Sequence, residues 1–347
     1  MTVAGTSGPE GDLPAGSDAR QAPSSGTRGV VGVAKRIIGG RMAKLAFVVL
    51  AVGVGGYEIY RQWGDIHHAL DRIGLLASLA ALGALLFYEF ASLRTWQVLL
   101  AGLGSRLPVP IAGRIFFLGQ LGKYLPGSVW PVLMTMELGA TYKVPRARSA
   151  SVAILTMLIT LLTGLVTALV TLPFGAHSTQ YLWVFLVAPV LIACLHPRVL
   201  NSLLRLAFKL TRRPGLDEPL TGRVLAHAIA WSFAAWVFSG LQIWILTVRL
   251  GAPLGRAALL ALGGYAFAWC AGFLVVFASA GIGVREVLLI AALSPMIGAG
   301  PATAVALVSR VVTTAGDLMM AGAAAFHRPR LPEGKHAETL TPARVPE

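Results

Sequence analysis

The sequence predicts an all-α, polytopic transmembrane helical bundle, with about eight spans plus two short broken or re-entrant segments. Three observations predict it. Of 347 residues, 56% are hydrophobic and 13% are charged, roughly half the charged fraction of a soluble chain. The mean hydropathy of +0.71 is spread along the chain, in apolar runs that recur from Lys44 to His327. The longer runs can cross a hydrocarbon layer ~30 Å thick. They also lack the two-residue alternation of barrel strands. A backbone in lipid must then bond within its own segment, which leaves helices.

Residues 1–40 are rich in Gly, Ser, Pro and Ala and read as a disordered tail. The transmembrane domain is expected over 41–327. Lys35, Arg36, Arg41 and Lys44 lead into a first span at about 43–60. No small-residue cleavage site follows it, so it reads as an uncleaved span that holds the N-terminus inside. Residues 61–72 form an amphipathic segment, with Ile66, Ala69, Leu70 and Ile73 on one face and Asp65, His68 and Arg72 on the other, suited to the membrane interface. A second span covers about 75–100. After Pro108 and Pro110, a shorter apolar stretch (111–125) runs into Pro126-Gly127, and another (128–140) leads to a basic loop with Lys143, Arg146 and Arg148.

Spans at about 149–172 and 181–195 flank Pro173-Phe174-Gly175. The long polar connection 198–223 carries Arg205, Lys209, Arg212 and Arg213 against Asp217 and Glu218. Then come 224–250, 257–277, a short segment 282–297, and 302–326, before a polar tail (328–347) that reads as disordered. The basic connections all fall on one side if the chain crosses eight times. Both termini are then cytoplasmic, in a multi-pass protein of the inner (plasma) membrane.

The net charge of +14 does not point to nucleic acid, because the Lys and Arg residues sit between spans and in the tails, where they set orientation. Cys194 and Cys270 lie in apolar segments without ligand-like neighbours and read as buried small hydrophobes.

The two halves, about 75–173 and 224–327, follow one plan. A long span, a shorter helix, a glycine-containing break, a short segment and a closing span occur in each. The breaks are Leu125-Pro126-Gly127 and Ala280-Gly281-Ile282-Gly283. The first long span would enter from outside and its counterpart from inside, so the halves would be inverted repeats. Such an architecture places a substrate near the midplane, at the broken helices. The plainer alternative is that Pro and Gly only make tight turns.

An ionisable side chain in a span costs roughly 2.5–3.5 kcal/mol on insertion scales unless it is paired or watered. This chain keeps Glu89 and Arg94 in the second span, Lys123 before the first break and Glu137 after it. Arg285 and Glu286 follow the second break, and Arg310 and Asp317 share the last span. Two readings stand side by side: pairs that hold helices in register (Glu89 with Arg94, Arg310 with Asp317), or groups that contact a substrate or gate its path. Lys123 and Arg285 favour the second, since each flanks a break. A cation beside free amides at a helix N-terminus suits a phosphate-bearing head group. Tyr124, Trp130 and Tyr265 could line the same cavity.

No hydrolytic or transfer constellation is present, nor a nucleotide loop or dinucleotide fingerprint. His67, His68, His177, His196, His227, His327 and His336 have no metal-ligand spacing. The chain is therefore expected not to be an enzyme and to hold no metal or cofactor. Any transport would run on a gradient or passively.

Two stretches, Leu118-Gly119-Gln120-Leu121-Gly122-Lys123-Tyr124-Leu125-Pro126-Gly127 and Ser279-Ala280-Gly281-Ile282-Gly283-Val284-Arg285-Glu286, resemble the signature breaks of the lysylphosphatidylglycerol synthase transmembrane-region family, also described as flippase-like. Leu93-Arg94-Thr95-Trp96 and Ser309-Arg310 resemble further motifs of that family, and the likeness covers about residues 40 to 327. In place of a second glycine after the first break stands Ser128-Val129-Trp130-Pro131.

The resemblance implies a protein that moves a lipid or lipid-linked molecule between leaflets. It does not imply lysyl transfer, because only about twenty residues follow the last span, where the synthases carry a soluble catalytic domain. Lys123, Tyr124, Pro126, Gly127, Arg285, Glu286, Arg310 and Asp317 are the expected substrate-binding or gating residues, with Glu89, Arg94 and Glu137 secondary. The expected partner is a membrane lipid or lipid-linked substrate. In the alternative, the chain anchors or assists a separate transferase of lipid-linked substrates, such as one encoded nearby.

Overall fold

The structure, a computed structural model, describes residues 63–124, 129–176, 220–274 and 283–326, with the isolated positions 60, 193, 199 and 202. The span at 181–195 and that at 43–60, the latter but for residue 60, lie outside the described residues in any continuous form. So do both tails, most of the 198–223 connection, and the two breaks at 125–128 and 275–282.

Eight α-helices and one 3₁₀ turn are defined, with no strand among the described residues. They are α1 (Trp63–Gly102), α2 (Val109–Gln120), the 3₁₀ turn Leu121–Tyr124, α3 (Trp130–Thr141), α4 (Arg146–Ala176), α5 (Gly222–Arg249), α6 (Leu254–Leu274), α7 (Val284–Ile297) and α8 (Ala299–Phe326). By length and composition, α1, α4, α5, α6 and α8 can each cross a membrane. The all-helical expectation holds, as do the shorter helices beside the breaks.

The amphipathic segment and the second span are one helix with a kink. Gly74 sits at φ 69° and ψ 169°, a left-handed backbone that glycine adopts without a Cβ penalty. Ile66, Ala69 and Ile73 are buried in the core shared with Leu246 and Leu250. That face is therefore packed against protein. Pro173 was expected to end the preceding span, yet α4 continues to Ala176. Proline forfeits one bond of the ladder there, and any kink it makes carries only the three residues left before the helix ends.

Helices α1 and α5 pack along each other more extensively than any other pair. One core gathers Leu93, Trp96, Ile111, Phe116, Leu155 and Leu225. The other gathers Ile73, Ile243, Tyr265, Leu289 and Val305. Helix α2 packs on α8, and α6 packs on α4. Arg114 of α2 donates to the Ala324 and Ala325 carbonyls at 2.8 and 2.9 Å. Arg256 of α6 donates to the Gly175 carbonyl at 3.0 Å. Each arginine thus satisfies C-terminal carbonyls of the other half's closing helix, groups with no intrahelical partner.

Buried hydroxyls return to the helix that carries them: Thr163, Thr167 and Thr171 donate to carbonyls four residues back at 2.7–2.8 Å. Thr163 also meets Ser232 at 2.7 Å and accepts from Trp236 Nε1 at 3.1 Å, tying α4 to α5.

Candidate functional site

The site begins at the 3₁₀ turn. A Cβ added to Gly122 would come within 2.7 Å of the Trp130 carbonyl carbon and of Pro131 N. Only a glycine lets the turn lie this close to the start of α3, and the approach carries the next two side chains inward. Gly122→Ala is expected to destabilise the protein by about 1–3 kcal/mol, as overpacking does, because backbone cannot rotate aside. It should also displace Lys123. The check is a melting curve in detergent beside that of the unobstructed Gly83→Ala.

Lys123 Nζ donates to Asp317 Oδ1 at 2.7 Å, and the Tyr124 hydroxyl donates to Asp317 Oδ2. Asp317 lies on α8 and is buried. Both of its oxygens are therefore held by the segment that leads into the first break. Glu89 is also buried, on α1, which packs against α8. Tyr88, next to Glu89 on α1, is half-buried.

The second break supplies the other side. Gly283 has φ 89°, the left-handed backbone that starts α7, and its N–H is taken by Glu286 Oε2 at 2.8 Å. An amide expected to be open to an anion is thus already satisfied. Arg285 is 6% exposed. Its Nη1 donates to the Tyr265 hydroxyl at 3.3 Å, and its guanidinium lies 5.3 Å from the centre of that ring, a cation–π contact. Its Nε is 3.5 Å from Glu286 Oε1, close enough for attraction yet outside hydrogen-bond geometry, so this buried N–H has no acceptor. Arg310 Nη1 approaches the same Glu286 oxygen at 3.5 Å. Arg310 and Asp317 both lie on α8, so the groups beside the two breaks are held by one helix.

Most of the expected residues are therefore gathered in two groups on α8, Lys123 and Tyr124 on Asp317, and Arg285 and Glu286 beside Arg310, while Glu89 is buried on α1. Pro126 and Gly127 lie outside the described residues. The two expected pairings within single helices are not formed. Asp317 pairs with Lys123, and Arg310 with Glu286. Arg94 turns away from Glu89, donates to Gln97 at 2.6 Å and lies 5.5 Å from the Trp231 ring. Glu137 is exposed and bonds Arg146. That hydrogen bond holds the Glu137 carboxyl below its usual range, and the pair belongs to the basic loop, not the site.

Tyr265 joins the cluster as expected, whereas Trp130 is 40% exposed at the head of α3. Sequence reasoning missed Gln242. Gln242 is fully buried on α5, and its amide lies 3.3 Å from Ser309 Oγ, next to Arg310. A polar amide in an apolar span was the available signal.

A groove of about 260 Å³ between α4, α5 and α6 is lined by residues including Val166, Val170, Phe233, Trp236 and Leu262. It shares no residue with the charged cluster.

Residues 41–320 match the family described as "Lysylphosphatidylglycerol synthase TM region". No curated protein matches the chain.

Proposed function

This chain belongs to the lysylphosphatidylglycerol synthase TM region family, which makes it a multi-pass, lipid-related membrane protein, and on that premise we propose that it translocates an anionic lipid or lipid-linked molecule between leaflets. The observation that carries the reading is that groups from beside both breaks are held by the one helix α8: Lys123 by Asp317, and Glu286, the neighbour of the buried Arg285, by Arg310. Charges gathered inside an apolar bundle mark a substrate or ion path. A phosphate-bearing head group is the natural ligand for a lysine and an arginine held inside one bundle.

The halves act as inverted repeats in this reading. The helix packing supports the relation, because exchanging α1–α4 with α5–α8 maps each packed pair onto another packed pair. Arg114 on α8 and Arg256 on α4 are the reciprocal caps such an axis would produce. The site then lies at the repeat interface, and rocking of one half against the other exposes it to each leaflet in turn. The protein works as a transporter and not as an enzyme, in the plasma membrane with both termini cytoplasmic.

The test is lipid scrambling in proteoliposomes of phosphatidylethanolamine and phosphatidylglycerol, with a trace of fluorophore-labelled phosphatidylglycerol and a membrane-impermeant quencher. Wild-type protein should expose the inner-leaflet probe faster than empty vesicles do, and Lys123→Ala and Arg285→Ala should each slow it. Wild-type vesicles that match empty ones would end the transport reading.

A further inference from the structure

Resting on the transport reading, we infer that the phosphate of an anionic head group binds beside the second break by taking the place of the Glu286 carboxylate. The inference starts from what surrounds that carboxylate. Its Oε1 lies 3.5 Å from Arg285 Nε and 3.5 Å from Arg310 Nη1. Its Oε2 accepts the Gly283 N–H, at the start of α7, at 2.8 Å. Two guanidinium N–H groups and a helix-N-terminal amide are the donor set of an oxyanion site. Glu286 therefore holds, from within the chain, the position that the oxygens of a phosphate would take. The fit is loose. Charge-assisted N–H···O bonds close to about 2.7–2.9 Å, and both arginine contacts fall well short of that. Arg285 Nε is left with no acceptor although its side chain is only 8% exposed, and a buried donor without a partner is costly.

Asp317, by contrast, is closed on both oxygens: Lys123 stands 2.7 Å from one, and the Tyr124 hydroxyl bonds the other. Its side chain is 3% exposed, whereas that of Glu286 is 19% and that of Arg310 24% exposed. The exchangeable carboxylate is thus the one with a way out. A Cβ built on Gly283 would meet no atom within 4 Å, so there is room beside the amide for an incoming group. Glu286 can withdraw by changing rotamer. The same motion frees the amide and the faces of both guanidinium groups together. A tetrahedral phosphate can then bring Arg285 Nε the acceptor that the carboxylate does not. One anion replaces another, so no covalent bond is made or broken and the arginines keep a counter-charge throughout. Displacing Glu286 lowers the affinity for the head group, and the return of its carboxylate drives release at the second leaflet.

Two substitutions test this in the intact protein, purified in detergent, with short-chain dihexanoyl-phosphatidylglycerol as the binding probe. Glu286→Gln keeps an oxygen for the Gly283 N–H but removes the charge that occupies the site. It should bind the probe about tenfold tighter than wild type, the worth of one hydrogen bond to a charged group. Glu286→Asp keeps the charge but shortens its reach by one methylene, and should also bind tighter than wild type. Glu137→Gln, the same charge change at the exposed pair with Arg146, should bind as wild type does. Glu286→Gln that binds no tighter overturns displacement. So does Glu286→Asp with wild-type affinity, since the lost charge alone would then explain the glutamine result. Either outcome leaves the transport reading to its own vesicle assay. Inorganic phosphate, titrated against the same proteins, separates the two sources of the anion: a gain for the free ion without a gain for the probe overturns the head-group source. In vesicles, Glu286→Gln should translocate labelled phosphatidylglycerol more slowly than wild type, and a rate at or above wild type overturns the role in release. Tighter probe binding by both variants, with wild-type vesicles no faster than empty ones, upholds the anion site and ends the transport reading.

Discussion

Asp317→Ala is expected to destabilise the protein by about 3 kcal/mol, because it strands a lysine ammonium in a largely dry interior. Lys123 Nζ is 2.7 Å from Asp317 Oδ1, and the Asp317 side chain is only 3% exposed. The aspartate also accepts the Tyr124 hydroxyl, so one substitution removes two bonds that fasten the first break to α8. Lys123→Ala should cost a comparable amount for the converse reason, leaving the buried Asp317 carboxylate without its cation. The double variant should be less destabilised than the sum of the singles, with a coupling of about 1–3 kcal/mol. Denaturation in detergent micelles measures all four proteins. Additive single effects would mean that the two groups do not act as a pair.

Arg285 carries the second large effect, and here the conservative change is the informative one. Arg285→Lys keeps the charge but loses the planar guanidinium that lies over Tyr265 while donating to its hydroxyl. Lysine is a compact point charge and cannot do both. Hydrogen bonds to charged groups are worth about 1.5–3 kcal/mol, which corresponds to roughly a tenfold to hundredfold loss if the contact acts in the translocation step. Tyr265→Phe removes only the hydroxyl, and Arg285→Ala removes everything and leaves Glu286 to Arg310. The expected order of rates in the lipid assay is wild type, Tyr265→Phe, Arg285→Lys, Arg285→Ala. A lysine variant as fast as wild type would show that charge alone suffices at this position.

Why the helices could be read in the sequence and the pairings could not follows from helix geometry. Arg310 and Asp317 are on one face, but seven residues of helix span about 10.5 Å, and side chains from neighbouring helices come closer. Glu286 and Lys123 do so, the latter from 194 residues away. Glu89 and Arg94 are five residues apart, which turns them about 140° from each other around the axis; one is buried and the other lies against Trp231. Glu137 followed the first break in sequence yet sits on the exposed side of α3, where it meets Arg146. Pattern along a chain registers the cost of a charge in a span, but not the direction from which that cost is relieved.

By itself the sequence determined that this protein is helical and membrane-embedded, which helices are long and which are short, and which ionisable residues needed an explanation. It could do so because hydrocarbon imposes a one-dimensional rule: each spanning segment must be apolar, long enough and internally bonded. Tertiary structure alone decided that Asp317 is the anchor for Lys123, and that Arg114 caps the end of α8. Those are contacts between helices far apart in the chain, chosen by packing and by the high cost of an uncompensated buried charge, and neither is written in any one segment.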